Sequence, residues 1–312
     1  MVTVDLITGF LGSGKTTFLI KYARHLMSKG EKICILENDY GAVNIDTMLL
    51  SRLYSEGCGI ESVAGACDKD CHMRRFKTKL IAMGMSGFTR VIIEPSGIFD
   101  VDEFFDTLHD SPLDKWYRIG SLITIVDPTM NNKMSDESRY FLASQAAVAG
   151  QIVFSFCSST HDNCDNVARS LAVIGDAMRE IRCYRDPADY YTAVSWDNIT
   201  PEQMDKIASC GFCAADFVKM QLKTNTYDSI YFMNNDISPS NLLRISKEIL
   251  DSHSCGNVWR IKGFTQSDGI WYKINASHSA VQLEPVSEGQ SVVIVIGEEL
   301  NKSEIKNIFE KD

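Results

Sequence analysis

Short apolar runs and longer amphipathic segments alternate along the first 200 residues of the chain. The apolar runs predict strands at Val2–Ile7, Ile33–Leu36, Arg90–Ile93, Leu122–Val126 and Ile152–Phe156. The segments between them predict helices at Gly14–Ser28, Glu137–Ala149 and Val167–Arg182. Near-continuous apolar runs are typical of parallel strands that are covered on both faces. We therefore predict an α/β fold with a doubly wound, mostly parallel sheet.

After residue 200 the pattern changes to strands that follow one another with short connections. The predicted strands lie near Ile230–Met233, Val258–Phe264, Ile270–Asn275, Val281–Glu284 and Val292–Ile296, with helices near Ser240–Asp251 and from Ser303. Such an order favours a smaller α+β domain with a mostly antiparallel sheet. The sequence thus predicts an α/β domain over 1–200, a linker over 201–224 and an α+β domain over 225–312.

The composition narrows the class of protein and its partners. Apolar residues make up 45% and charged residues 23% of the 312 residues, as in folded domains and unlike disordered chains. The net charge of −10 argues against a nucleic-acid partner, which needs a basic surface. No apolar run reaches the roughly 18 residues of a membrane helix, and no signal peptide is recognised. We expect a cytoplasmic protein without a membrane partner, whose ten cysteines are thiols.

The strongest chemical signal is the segment Gly9-Phe-Leu-Gly-Ser-Gly-Lys-Thr16, which fits the phosphate-loop pattern G-x-x-x-x-G-K-[ST]. A predicted strand precedes it and a predicted helix follows, as the pattern requires. Glycines let the backbone approach an anion, and the start of the helix adds positive potential. Lys15 is expected to contact the β and γ phosphates, and the Thr16 hydroxyl is expected to bind Mg²⁺. The candidate nucleotide-binding residues are Gly9, Gly12, Ser13, Gly14, Lys15, Thr16 and Thr17.

Two strand ends bring further carboxylates toward this loop. Glu94 closes the strand at Ile92–Glu94 and is followed by Gly97; we expect Glu94 to hold Mg²⁺ and the Gly97 N–H to meet the γ phosphate. A second strand end, Glu37–Gly41, is also rich in carboxylates, and Asp46 follows it. Asp46 is a candidate for contacting the metal or orienting the attacking water. Lys15, Asp46 and Glu94 are therefore the predicted catalytic residues.

Together these segments resemble the CobW-type P-loop GTPases, relatives of the GTPases that insert nickel into urease and hydrogenase. The matching segments are Gly9–Thr17, Asn38–Asp46, Glu94–Gly97, Val126–Asp127 with Gln145, and, toward the end, Val258–Phe264 and Val295–Leu300. The resemblance implies a GTPase that uses Mg²⁺ and couples the nucleotide to delivery of a metal. It also implies a client metalloenzyme or metal-cofactor protein as partner.

A cluster of thiols departs from the family's Cys-x-Cys-Cys metal motif. Cys67, Cys71 and His72 stand at that point of the chain, with Cys58 nearby. Two thiolates and an imidazole suit Zn²⁺ or another transition metal, so these four residues are the candidate ligands. A polar loop with ordinary thiols is the alternative. A separate C-x-x-C at Cys210–Cys213 has no assigned role.

The base-recognition segment also departs from the family. Relatives use Asn-Lys-x-Asp to recognise guanine, whereas the equivalent here, counted from Gln145, is Ser155-Phe-Cys-Ser158. Asp162 is the candidate replacement if the loop shifts by four residues. Guanine specificity is therefore implied by the resemblance, and ATP stays an alternative.

The leading hypothesis is a GTP-hydrolysing metallochaperone with low intrinsic turnover, since no arginine finger is evident in the chain, with Arg74 and Arg75 left as alternatives. The alternative is a nucleotide-gated module that docks on a metalloenzyme or corrinoid protein and carries no metal, with relaxed or ATP specificity. A small-molecule kinase is a third reading, which the segment Glu94–Gly97 and the C-terminal domain disfavour. The metal, the client and the oligomeric state, including a homodimer, are left undetermined by the sequence.

Overall fold

The computed structural model describes residues 1–38, 50, 53–63, 69–129, 134–155, 161–220, 227–278 and 280–310. The chain divides into two units, Met1–Met220 and Gln221–Asp312. This division differs from the predicted linker at 201–224. A helix spans Pro201–Ala208 and buries its apolar residues in the core of the first unit, so this stretch belongs to that unit.

The first unit is built on a parallel sheet. Its strands within the described residues are β1 Val2–Thr8, β2 Ile33–Asn38, β3 Gly59–Val63, β4 Arg90–Pro95, β5 Tyr117–Val126, β6 Gln151–Phe154 and β7 Tyr191–Ala193. Their order across the sheet is β3-β2-β4-β1-β5-β6-β7, and each neighbouring pair is parallel. The predicted doubly wound α/β fold is confirmed.

Helices cover both faces of this sheet. They are α1 Lys15–Ser28, α2 Lys69–Met85, α3 Val101–His109, α4 Leu113–Trp116, α5 Asp136–Val148, α6 His161–Glu180 and α7 Pro201–Ala208. Phe18 of α1 packs with Ile35 of β2 in one core cluster. Phe76 of α2 packs with Leu36 in a second cluster. Because successive side chains of a strand point to opposite faces, α1 and α2 lie on opposite sides of the sheet.

A buried carboxylate links three strands away from the phosphate loop. Asp5 of β1 accepts hydrogen bonds from the Arg90 guanidinium at 2.8 Å, the Tyr22 hydroxyl at 2.8 Å and the main-chain N–H of Ser121 at 2.8 Å. Burial raises the pKa of the Asp5 carboxyl, and the nearby Arg90 opposes that rise. The three donors satisfy a group that would be costly to bury alone, and they tie β4 and β5 to β1.

The second unit is an antiparallel sheet with helices. Its strands are β8 Tyr227–Met233, β9 Asn257–Ser267, β10 Ile270–Ala276, β11 Val281–Val286 and β12 Val292–Glu298, and its helices are α8 Pro239–Asp251 and α9 Lys302–Glu310. The strand order is β11-β10-β9-β12-β8. Leu242 and Ile245 of α8 and Ile305 of α9 pack with Val293 and Val295 of β12. The predicted antiparallel α+β arrangement is confirmed for this unit. Among the described helices of the whole chain, none is long and apolar enough to cross a membrane.

Candidate nucleotide and metal sites

The loop Gly9–Thr16 joins the carboxyl end of β1 to α1, and three of its glycines have positive φ. The φ angle is 139° at Gly9, 80° at Gly12 and 92° at Gly14, values that residues with a Cβ rarely adopt. At Gly9 a Cβ would also lie 2.2 Å from the carbonyl oxygen of Ile125. The glycines are thus required for a loop that curls tightly over the strand ends, as phosphate-binding loops do.

Lys15 supplies the positive charge of this loop. Its side chain is buried, and Nζ donates hydrogen bonds to the carbonyl oxygens of Gly9 at 2.8 Å and Phe10 at 3.2 Å. The N–H of Ser13 also donates to Phe10 O at 3.2 Å, which closes the loop from within. Thr17 is exposed in the first turn of α1. The Lys15 ammonium therefore lies against the loop backbone, beside any anion that the loop would bind.

Thr16 and two strand-end carboxylates form an oxygen-rich group at the start of α1. The Thr16 hydroxyl donates to Glu94 Oε1 at 2.8 Å, and both residues are buried. Glu37 of β2 is in register with Glu94 of β4 and is also buried. Hydroxyl and carboxylate oxygens are the ligands that Mg²⁺ prefers, so this donor set fits that ion. Sequence reasoning noted the strand end but did not single out Glu37, although a carboxylate ending an apolar strand was the available signal.

Gly97 lies directly against the phosphate loop. A Cβ at this position would be 2.5 Å from the Leu11 nitrogen and 2.9 Å from the Phe10 carbonyl carbon. These are main-chain atoms of the loop, which cannot move aside to make room for a Cβ as the end of a flexible side chain can. The close approach therefore requires glycine. It places Gly97, whose N–H is predicted to meet the γ phosphate, beside the loop.

His72 connects the thiol-bearing segment to the end of β2. It is fully buried in the first turn of α2, and its Nε2 is 2.5 Å from Asn38 Oδ1. The Asn38 carbonyl in turn accepts from the Ser96 N–H at 2.9 Å. Cys71, next to His72, is partly exposed. Cys67 lies outside the described residues, so its position relative to this pair is not assigned.

Cys58 is not brought to His72. It precedes β3, whose first residue pairs with Cys34, whereas Asn38 pairs with the last residue of β3, Val63. The Cys58 side chain is only 2% exposed in the core cluster on the α1 side of the sheet, and burial raises the pKa of its thiol to about 11. The structure therefore separates this predicted ligand from His72. Among the described residues, no three His, Cys, Asp or Glu side chains form a group that could hold a metal ion.

Several predicted residues fall outside what the structure describes. Asp46 and the side chain of Asp162 are among them, as are Phe156 to Ser158 of the base-recognition segment. Ser155 is described, and its hydroxyl donates to the carbonyl oxygen of Val126 at 3.2 Å. In the separate C-x-x-C, burial raises the pKa of the Cys210 thiol to about 11, and the cysteines of the described residues form no disulfide.

The curated relatives that this chain resembles in sequence are named as zinc chaperones or as a zinc-regulated GTPase metalloprotein activator. The zinc chaperone YeiR of Escherichia coli K12 is 30% identical over 156 residues, which are 49% of this chain and 46% of the relative. The zinc chaperone YjiA of the same organism is 29% identical over 135 residues, 40% of each chain. The zinc-regulated GTPase metalloprotein activator 1 of Schizosaccharomyces pombe is 20% identical over 92% of this chain and 78% of its own. The match thus spans less than half the length of the two E. coli relatives.

Solved structures show a more distant likeness. The Zn(II)-bound YjiA GTPase from E. coli has 17% identity and a TM-score of 0.34 over 99% of this chain and 98% of its own. The hydrogenase maturation factor HypB from Archaeoglobus fulgidus has 17% identity and a TM-score of 0.41 over 66% of this chain and 87% of its own.

The family profile described as CobW/HypB/UreG, nucleotide-binding domain, matches residues 3–183. This range is more than half of the chain and runs from β1 through the phosphate loop to the end of α6. The resemblance expected from the sequence motifs is confirmed, and the chain belongs to the CobW/HypB/UreG family.

Proposed function

We propose that this chain is a GTP-hydrolysing metallochaperone that couples Mg²⁺–GTP binding and hydrolysis to the binding or release of a transition metal, with zinc as the first candidate. The observation that carries the proposal is the Thr16–Glu94 hydrogen bond, which joins the phosphate loop to the carboxylate at the end of β4 in a chain of this family. The zinc-chaperone names of the curated relatives support the choice of zinc as the cargo.

The residues of the loop have distinct roles in this proposal. Lys15 exchanges its bonds to the Gly9 and Phe10 carbonyls for oxygens of the β and γ phosphates. Thr16 and Glu94 would hold Mg²⁺, with Glu37 beside them, and the ion would supply positive charge next to the phosphates. Asp46 orients a water molecule whose oxygen attacks the γ phosphorus. The bond from that phosphorus to the β-phosphate oxygen breaks, which yields GDP and inorganic phosphate.

A chain of hydrogen bonds supports coupling between the nucleotide and the metal. Ser96, beside Gly97, donates its N–H to the Asn38 carbonyl, and the Asn38 side chain meets His72 Nε2. A movement of Ser96 when the γ phosphate leaves is therefore passed to the first turn of α2, where Cys71 lies. Cys67 and Cys71 bind the metal in this proposal, with His72 or a partner residue completing the site. GTPases commonly convert phosphate loss into such segment movements.

A nucleotide-gated docking module without a metal is the second candidate function. The observation that favours it is the contact of the His72 ring with Asn38 in a fully buried position. An imidazole that serves only to stabilise the fold would have the same surroundings. In that case the same hydrogen bonds pass the nucleotide state to a surface that a metalloenzyme or corrinoid protein recognises.

The remaining features of the proposal concern specificity and setting. We propose GTP as the nucleotide because the chain belongs to this family. ATP is the competitor, because the segment at Ser155 lacks the family's Lys and Asp. Turnover is slow without a partner, since no described residue is assigned as an arginine finger. The protein acts in the cytoplasm on a client metalloenzyme, and the net charge of −10 disfavours nucleic acid.

Zinc titration with different nucleotides tests the proposal. In the unmodified chain we expect the zinc affinity to differ at least about fivefold between GDP and a non-hydrolysable GTP analogue, the lower end of typical coupling between sites. The double variant Cys67→Ala/Cys71→Ala should lose this zinc binding. The matched control Cys58→Ala should keep it, because that thiol lies elsewhere in the core. Equal zinc affinity in the double variant and the unmodified chain would reject the metal role and favour the docking module.

A direct competition between GTP and ATP for the unmodified chain tests the base preference. We expect GTP to displace ATP at lower concentration. Equal displacement by the two nucleotides would replace GTP by a relaxed specificity without affecting the phosphate-loop assignment.

A further inference from the structure

Gln145 lies at the junction of the phosphate loop and the segment that follows Glu94. It belongs to α5 and is only 1% exposed. Its side-chain Oε1 accepts a hydrogen bond from the Gly9 N–H at 3.1 Å. Its Nε2 donates to the carbonyl oxygen of Phe99 at 3.2 Å, and the carbonyl oxygen of Gly97 is 3.5 Å away. One amide thus joins two segments that lie far apart in the sequence.

This bridge requires an amide side chain. The Gly9 end needs an acceptor, whereas the Gly97–Phe99 end needs a donor, and the amide of Gln offers a carbonyl acceptor and an NH₂ donor on separate atoms at neutral charge. A carboxylate of the same shape would keep the acceptor and lose the donor, leaving its negative charge against carbonyl oxygens. A buried acceptor without its donor is costly, so the two segments would no longer be held together.

The helix that carries Gln145 is itself firmly held. The main-chain carbonyl of Gln145 accepts from the Thr124 hydroxyl at 3.1 Å. Thr124 Oγ1 is 2.9 Å from Thr8 Oγ1 at the end of β1. The neighbouring residues Ala146 and Ala147 are completely buried. The helix therefore holds the side-chain amide of Gln145 in a fixed position beside β1, the strand that leads into the loop.

We propose that Gln145 is a positioning residue that holds the Gly97–Phe99 segment in register with the phosphate loop and so sets the preference for nucleoside triphosphate over diphosphate. The inference rests on the proposed nucleotide function. Gly97 is in close contact with Leu11 of the loop, and a diphosphate engages the loop without needing Gly97. Loosening the bridge thus weakens the triphosphate complex selectively.

The test compares affinities for a non-hydrolysable GTP analogue and for GDP in Gln145→Leu and Gln145→Glu. We expect the analogue to bind about tenfold more weakly in both variants, as loss of buried hydrogen bonds predicts, while GDP affinity changes less than about threefold. Gln151→Leu is the matched control, because the Gln151 amide donates to Thr192 and not to the loop. A purely structural role would lower both affinities together. An unchanged ratio of the two affinities in a folded variant would overturn the inference.

A measurement on the unmodified chain covers the case in which the variants do not fold. Hydrogen exchange should show stronger protection of the amides of residues 97–99 with the GTP analogue than with GDP. Equal protection with the two nucleotides would overturn the role of Gln145 while leaving the nucleotide function intact. If the unmodified chain binds neither nucleotide, the proposed function itself fails, which is a distinguishable result.

Discussion

At the scale of single residues, the contact between Thr16 and Glu94 is the chemical centre of the candidate site. The two residues are 78 positions apart in the sequence, and their side chains meet at 2.8 Å. They meet because β4 lies beside β1 in the sheet, so the carboxyl end of β4 reaches the loop that follows β1. Both side chains are buried, where a hydrogen bond to a carboxylate is stronger than in water.

Replacement of Glu94 by glutamine should separate nucleotide hydrolysis from folding. We expect Glu94→Gln to lower phosphate release from GTP by about a hundredfold, the scale seen when one group that stabilises transition-state charge is removed. The change keeps the shape of the side chain and removes the charge that would hold Mg²⁺. A phosphate-release assay over a range of Mg²⁺ concentrations measures the effect.

Glu61→Gln is the control for this substitution. Glu61 lies on β3, which β2 separates from the strand of Glu94. It pairs with Lys79 at 2.5 Å in a partly exposed position, where ion pairs contribute little. We expect its phosphate release to match that of the unmodified chain. Full activity in Glu94→Gln would contradict the assignment of Glu94.

At the scale of secondary structure, the candidate site is assembled from the carboxyl ends of adjacent strands. β1, β2 and β4 are neighbours in the order β2-β4-β1, and each ends in a segment that has been assigned to the site. Ligands of open α/β sheets bind at such strand ends. The spacing between these segments is tight, as the approach of Gly97 to the loop shows.

Gly97→Ala should therefore weaken nucleotide binding. The added methyl group would lie 2.5 Å from the Leu11 nitrogen, so the loop or the segment at Gly97 must move. We expect at least about a tenfold loss in affinity for the GTP analogue, which corresponds to the lower end of the cost of overpacking a tight site. Calorimetric titration measures the change.

Gly175→Ala provides a matched control within α6. A Cβ there would be 3.5 Å from the nearest atom, on Arg179, an ordinary contact, and alanine is favoured over glycine inside helices. We expect normal nucleotide affinity and slightly higher stability. Binding by Gly97→Ala as tight as that of Gly175→Ala would show that the loop tolerates the displacement.

At the scale of the whole molecule, the first unit extends well beyond the predicted domain end at residue 200. Thr200 caps α7 through a reciprocal pair of hydrogen bonds with Gln203. Met204 and Ile207 of α7 then enter the core on the α1 side of the sheet. Further along, Lys219 pairs with Asp100 and Asp102 at the start of α3. The stretch 201–220 is therefore part of the folded unit.

Fragments that end at residues 200 and 220 should differ in stability. We expect the fragment 1–200 to unfold with a free energy at least about 2 kcal/mol smaller than the fragment 1–220, because two buried apolar side chains are removed. Urea unfolding followed by circular dichroism measures both. Equal free energies of unfolding would show that α7 contributes nothing to the core and would restore the predicted linker.

Much of the fold could be predicted because its signals are local. The continuous apolar runs of β1, β2, β4, β5 and β6 mark buried strands wherever they occur. The strand β3, Gly59–Val63, is not predicted from the sequence, because Ile60 and Val63 are separated by two polar residues and form no continuous apolar run. The helix α2, Lys69–Met85, is not predicted from the sequence, because the charged residues Arg74, Arg75, Lys77 and Lys79 interrupt its apolar positions and weaken the helical period.

The phosphate loop was determined by the sequence alone, because its glycines and Lys15 lie in one short segment between a strand and a helix. Only the tertiary structure decided that Cys58 lies away from His72 and that Gln145 bridges Gly9 and Phe99. The Gln145–Gly9 contact joins residues 136 positions apart. Such contacts depend on the order of the strands and on the face that each side chain takes, and neither is written in the local pattern of residues.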